Sequence, residues 1–196
     1  ALTVSLGATS RTVATKCGER KRAFPAASAP VTVAEASVAR GLVANLKVPP
    51  MLMSPTVGTL RWVPPGTFTM GSPTTEAGRG TDETQHTVTL TQGAYVMEKE
   101  VTQGAWQTVM GENPVATKNQ FWDGKDQGPC KAVGVGDKLP LACVTWPEVV
   151  SYANALSKRE GLTSAYTVSG DTVTWNRSAN GYRLPTEAEW EHAARG

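Results

Sequence analysis

The pattern of apolar and polar positions changes near residue 57. Before it, residues 1–56 are rich in Ala, Val, Ser, Thr and Pro. Val31, Val33, Val38, Leu42, Val43 and Leu46 fit a helix over 34–44 as well as a strand over 31–33, so periodicity does not choose between them. Pro49, Pro50 and Pro55 interrupt any regular element there. Residues 1–56 therefore read as a linker or a partial preceding module, and 57–196 as the main domain.

In the main domain, Leu60, Trp62, Phe68 and Met70 mark strands on either side of a Pro64-Pro65-Gly66 turn. A polar loop over 72–85 follows. Thr87, Val88, Thr89 and Leu90 then alternate with the period of a half-buried strand, and Tyr95, Met97 and Val101 suggest another. Thr102 is placed to cap a short helix reaching about Met110, with Trp106, Val109 and Met110 on its buried face. Gly111, Asn113 and Pro114 stop it. Residues 112–142 read as a long irregular loop, in which Phe121 and Trp122 imply that some part packs.

Thr145-Trp146-Pro147-Glu148 is a capping box with Pro in the first turn. Its helix should run to about Glu160, with Trp146, Val149, Val150, Ala153 and Leu156 forming one apolar stripe. Residues 166–168 and 172–175 flank Ser169-Gly170-Asp171 and predict a hairpin. Thr186-Glu187-Ala188-Glu189 is a second capping box, opening a helix to about Arg195 on which Trp190 and Ala194 share a face. Short strands, then helices, then more short strands make an α+β fold with irregular connections. No βαβ alternation supports a Rossmann or barrel fold.

Composition agrees with this. A chain of 196 residues is one domain, or one domain with an appendage, and buries roughly 70% of its unfolded surface. Thirteen Pro and 19 Gly favour loops and short strands over a helical bundle. The net charge of +2 is uneven. Residues 1–56 carry seven Lys/Arg against two Glu, and 57–196 carry twelve against fifteen acidic residues. The densest basic stretch, Lys16, Arg20, Lys21 and Arg22, reads as a solvated segment, so no nucleic-acid partner is expected. No apolar run approaches the roughly 18–20 residues of a membrane helix, so no membrane span is expected either. The positive charges follow the first weakly apolar stretch, unlike a signal peptide. Cytoplasmic and exported locations both stay open.

Candidate chemistry is sparse. The cysteines are Cys17, Cys130 and Cys143, the histidines His86 and His192, and no CxxC occurs, so a four-ligand zinc site is hard to build. Cys130 and Cys143 could pair and leave Cys17 odd; three free thiols is the competing reading. Asp82, Glu83 and His86 read as a polar turn entering a strand. Glu187, Glu189 and Glu191 are alternate helical residues pointing roughly 200° apart, so they do not converge as an acid–base set. Capping, and pairing with Arg183 or Arg195, suits them better. Trp62, Trp106, Trp146 and Trp190 are assigned to the core. Trp122, in the long loop, is the candidate binding residue. Asn176-Arg177-Ser178 is a glycosylation sequon by pattern.

Five segments together resemble the formylglycine-generating-enzyme, or sulfatase-modifying factor, family. They are VPPGTFTMGS (63–72), DETQHTVTL (82–90), Glu100-Val101-Thr102, PLACVTWPEVVSYANALS (140–157) and GYRLPTEAEWEHAARG (181–196). They stand in the family's order, and RLPTEAEWE is the most specific. The resemblance covers 57–196. It implies a C-type-lectin-like α+β fold, loop-rich, with short strands and about three helices. It also implies a bacterial oxidoreductase relative that converts a sulfatase cysteine to formylglycine at a copper ion held by two cysteines. Copper(I) is soft and suits thiolates.

In the family, the catalytic cysteines and the calcium-binding loops lie C-terminal to the RLPTEAEWE segment. The resemblance therefore assigns no catalytic, cofactor-binding or metal residue within 1–196. It implies a truncated N-terminal portion that is inactive alone, with copper and calcium belonging to a full-length parent. Cysteines that some members place late in two helices correspond here to Ala153 and Ala194. The closing helix normally continues into the rest of the core, so Trp190 should lack some of its usual packing. The implied partner is a sulfatase or another protein substrate. For the alternative of a non-catalytic binding or scaffolding module, it is a glycan or protein ligand.

Overall fold

The computed structural model describes residues 3–4, 48–122 and 125–195, with the backbone alone for 3–4, 120–122 and 125–127. Cys17, the basic cluster and the ambiguous 31–44 segment lie outside the described residues. The fold is α+β and loop-rich, with short strands.

Its centre is a five-stranded antiparallel sheet. The strands are β1 (Thr3–Val4), β2 (Met51–Ser54), β3 (Gly58–Val63), β6 (Ala94–Met97) and β11 (Tyr182–Arg183), in the order β11-β1-β6-β3-β2. Two of these, β1 and β2, fall in the stretch that reads from sequence as linker. The reason is that strand pairing is non-local. A prolyl neighbourhood stops a helix, but it does not stop Met51–Ser54 from pairing with β3 along its whole length.

Register aligns Leu52 with Leu60 and Met97, and Trp62 with Tyr95. Because side chains alternate across a strand, one face of the sheet carries Leu60, Tyr95, Met97 and Tyr182, all buried. Against this face lie α1 (Gln103–Met110) and α3 (Trp146–Arg159), which add Trp106, Tyr152, Ala153 and Leu156 to the same core. Trp106 stacks on Tyr152 at 4.7 Å between ring centroids, with 9° between their planes.

The helix ends follow local chemistry. The Thr102 hydroxyl accepts the Ala105 N–H at 3.2 Å. Gly111, at φ 86°, closes α1 by donating its N–H to Gln107 O. Glu148 accepts the Thr145 N–H at 2.8 Å. At α4 (Glu187–Arg195) the capping box is reciprocal: Thr186 N–H to Glu189 at 2.8 Å, and Glu189 N–H to the Thr186 hydroxyl at 3.2 Å. The predicted hairpin is present as β9 (Tyr166–Ser169) and β10 (Thr172–Trp175), turning at Gly170 with φ 56°. Strands β4 (Gly66–Met70) and β5 (His86–Leu90) form a separate ribbon.

Two expectations change. The long loop over 112–142 is partly ordered, as α2 (Pro114–Thr117), β7 (Asn119–Trp122), β8 (Lys125–Pro129) and a 3-10 turn at Cys130–Val133. Asn113 caps α2 by accepting the Val115 N–H, and Pro114 suits its first turn. With α2, the described residues hold four α-helices rather than about three.

The second change concerns tryptophan. Trp106 is buried and Trp62 packs half-buried at the core edge, but Trp146 is 54% exposed and Trp190 59% exposed. Trp146 sits in the capping turn of α3, between exposed Thr145 and Pro147. On α4 the docking side chains are Glu191, His192 and Arg195. Glu191 accepts the Gly71 N–H at 2.9 Å, Arg195 donates to Gly71 O at 2.9 Å, and the His192 ring lies 4.9 Å from that of Phe68. α4 thus docks through polar contacts and leaves Trp190 outward.

Candidate binding cleft

Residues of α1, of the first two turns of α3 and of the segments around them line a cleft of about 230 Å³. Val101, Leu141, Val149 and Leu184 form its aliphatic walls, Trp106 and Tyr152 its aromatic wall, and Glu100 lies among the lining residues. Glu100 is exposed and, among the described residues, makes no ion pair.

Tyr152 is fully buried, yet its hydroxyl has no hydrogen-bond partner among the described protein groups. Burial pushes this phenol well above its ordinary value, and the Glu160 carboxylate adds to the rise. Tyr182 is displaced in the same direction, again chiefly by burial. Tyr182 donates to Glu160 Oε2 at 2.7 Å, and the Ser54 hydroxyl donates to Glu160 Oε1 at 2.6 Å. The C-terminus of α3 is thereby fastened to both β2 and β11.

The wall carrying Leu141 is built by the segment running from Cys130 to Cys143. Leu141 donates its N–H to Val101 O at 2.8 Å, and Gln103 and Gly104 donate theirs to Leu139 O and Asp137 O. Gln103, fully buried, uses its whole amide. Its Nε2 donates to Gly134 O at 3.0 Å and to Pro140 O at 3.2 Å; its Oε1 accepts from Asn113 Nδ2 at 2.9 Å and from the Gly136 N–H at 3.1 Å. A Cys130–Cys143 disulfide closes the segment, deciding the pairing that sequence left open. Leu184, on the opposite wall, donates its N–H to the Tyr166 hydroxyl at 3.0 Å. Its neighbour Arg183 makes a paired contact with Glu189, both bonds at 2.7 Å, and lies 4.9 Å over the Trp175 ring.

Trp122 ends β7, its backbone paired with Lys125, and its side chain lies outside the described residues. Glu83 accepts the Gly80 N–H, and hydrogen bonding from Ser72 and Gly80 holds its carboxyl below the usual range; His86 Nδ1 contacts Thr84 O. These are the contacts of a polar turn. Glu189 and Glu191 pair with Arg183 and Arg195, as their expected structural role requires. Among the described residues no three His, Cys, Asp or Glu side chains converge as a metal site. Six of the seven cleft-lining residues, all but Trp106, lie in the segments that carry the family resemblance, whereas Gln103 lies in none of them. Gln103 follows a capping Thr, and nothing in its neighbours signals a buried amide.

A loop-rich α+β scaffold, strapped by a buried amide and a disulfide around an apolar cleft, is the class of molecule this geometry defines. Residues 49–196 match the sulfatase-modifying factor enzyme 1-like domain, and the chain belongs to that family. The match begins before β2, so it takes in the strand that the sequence patterning left out. The chain is 38% identical over 117 residues to chaperone protein LppX of Paenibacillus barcinonensis, a match covering 52% of this chain and 36% of that protein. The chain thus spans little more than a third of that relative's length. Treponema denticola variable protein 1 superposes with a TM-score of 0.54 at 28% identity, over 70% of this chain and 52% of that one. PvdO from Pseudomonas aeruginosa gives a TM-score of 0.44 at 28% identity, over 56% of this chain and 42% of that one.

Proposed function

We propose that residues 49–196 are the partner-binding part of a sulfatase-modifying-factor-family protein and perform no thiol chemistry of their own. The observation that carries this is the Cys130–Cys143 disulfide. Copper(I) of the formylglycine-generating type needs two free thiolates, and these two cysteines are committed to each other, with Cys130 fully buried. The described donor set therefore does not fit that copper site, and no oxidative step is derived through it. Oxidase chemistry, with its copper and calcium, belongs on this reading to a longer parent.

A polypeptide is the favoured partner. The cleft lining is aliphatic and aromatic with one carboxylate, which suits a protein side chain better than the many hydroxyls of a glycan. The LppX relative is named a chaperone protein, which accords with a polypeptide ligand, and a sulfatase is the substrate that the family suggests. The test is to incubate the chain with copper(I) and a cysteine-bearing sulfatase-motif peptide, with mass spectrometry reading thiol loss. Binding of that peptide and of a denatured sulfatase is followed in parallel by fluorescence anisotropy. Binding without conversion is expected. Conversion, or failure to bind either polypeptide, overturns the reading.

A further inference from the structure

We propose that the cleft between α1 and α3 takes the side chain of a lysine or arginine from the polypeptide partner; this inference rests on the partner-binding reading above. The first support is size. At about 230 Å³ the cleft is below the roughly 300–1,000 Å³ of pockets that hold drug-sized ligands, and it is matched to one inserted side chain. The second is the distribution of chemistry. Val101, Leu141, Val149, Leu184 and the Trp106–Tyr152 pair offer an apolar sleeve, and Glu100 offers an exposed carboxylate that makes no ion pair among the described residues.

Long cationic side chains are the protein groups that combine these two requirements. They bury an alkyl stem along apolar surface while keeping the charged head in water. A purely apolar side chain would leave Glu100 without a role, and an acidic one would be repelled by it. The charge preference should be weak at high salt, because an exposed ion pair is screened within about 10 Å at 0.1 M ionic strength.

The test uses the full chain and two short peptides that differ only in Lys against norleucine, titrated by calorimetry, with methyl NMR shifts of Val149 and Leu184 locating the site. The lysine peptide should bind about fivefold more tightly at low salt, the upper end of what one exposed ion pair supplies. Glu100→Gln, at an exposed position, should abolish that preference without moving the thermal midpoint. Val149→Trp should fill the cleft and weaken both peptides. Equal binding of the two peptides, an unchanged preference in Glu100→Gln, or shifts that bypass Val149 and Leu184 would each overturn the inference. So would finding the cleft filled by another segment of the same polypeptide. If a denatured sulfatase still binds in those cases, only the basic-side-chain assignment has failed. If no polypeptide binds, the partner-binding reading has failed with it.

Discussion

Gln103 is the side chain on which the cleft's loop wall depends, and changing it tests that dependence directly. Its four hydrogen bonds, at 2.9 to 3.2 Å, tie α1 to Asn113, Gly134, Gly136 and Pro140. Gln103→Leu keeps the apolar bulk and removes all four. Each such bond contributes roughly 0.5–1.5 kcal/mol net. Pro140 is exposed and Asn113, Gly134 and Gly136 are half-buried, so water recovers part of the loss. About 2–4 kcal/mol is expected, which at this chain length lowers the thermal midpoint by about 5–15 °C.

Gln103→Glu is the sharper variant. The new carboxylate would still accept from Asn113 and Gly136, but its second oxygen would face the Gly134 and Pro140 carbonyls with no proton to share. Its native pKa must therefore rise above the unfolded value of about 4.3. A raised pKa means that the protonated form is the one compatible with folding. Stability is then intact below about pH 4 and is lost as pH climbs through the raised native value. Calorimetric or circular-dichroism melts from pH 4 to 8 should show the variant close to its parent at pH 4 and well below it at pH 7. Equal stability of parent and variant at pH 7, or a gap that does not close on acidification, would refute the account of a fully used buried amide.

Other outcomes follow from the same contacts. Glu189 is driven up by burial, but hydrogen bonds from Arg183 and the Thr186 N–H outweigh this and hold its carboxyl below the usual carboxylate range. The Arg183–Glu189 pair thus contributes stability that is present above about pH 4.5 and fades as pH falls through the lower native value. Glu189→Gln should cost about 3 kcal/mol at pH 7 by removing the carboxylate that faces the buried Arg183 guanidinium, and melts near pH 3 should show that difference shrinking. Cys143→Ser opens a loop of sequence separation 13 and should cost about 3 kcal/mol in denaturant titration, with faster amide exchange confined to 134–143. At Gly181 a Cβ would stand 2.1 Å from Thr163 O and 2.6 Å from Ser157 Oγ, so Gly181→Ala should destabilise by roughly 2 kcal/mol or more. Tyr152→Phe removes a buried hydroxyl that bonds no described protein group, and its midpoint should stay level or rise.

The elements that could be read in advance are those governed by neighbours in the chain. Thr102, Thr145 and Thr186 mark helix starts because a cap satisfies backbone N–H groups one turn away, and Gly170 marks the hairpin because its turn needs positive φ. RLPTEAEWE carried the family because it packs a cap, an ion-pair partner and an aromatic residue into nine positions. Its contacts also showed what periodicity cannot. Glu189 reaches back to Arg183, which buries the pair, while Trp190 on the same helix faces outward.

The remaining features depend on parts of the chain that meet only when it folds. Met51–Ser54 became a strand because β3 was there to pair with it. Cys130 found Cys143, and Gln103 found two carbonyls and two donors on loops beyond its own helix. The cleft exists because α1, α3, Leu141 and Leu184 converge from four separate segments. Local propensity acts over one or two turns of backbone, so sequence set the helices, the hairpin and the kind of scaffold. Burial and pairing act across a hundred residues. They alone chose which tryptophans enter the core, which thiols join, and where a partner's side chain can enter.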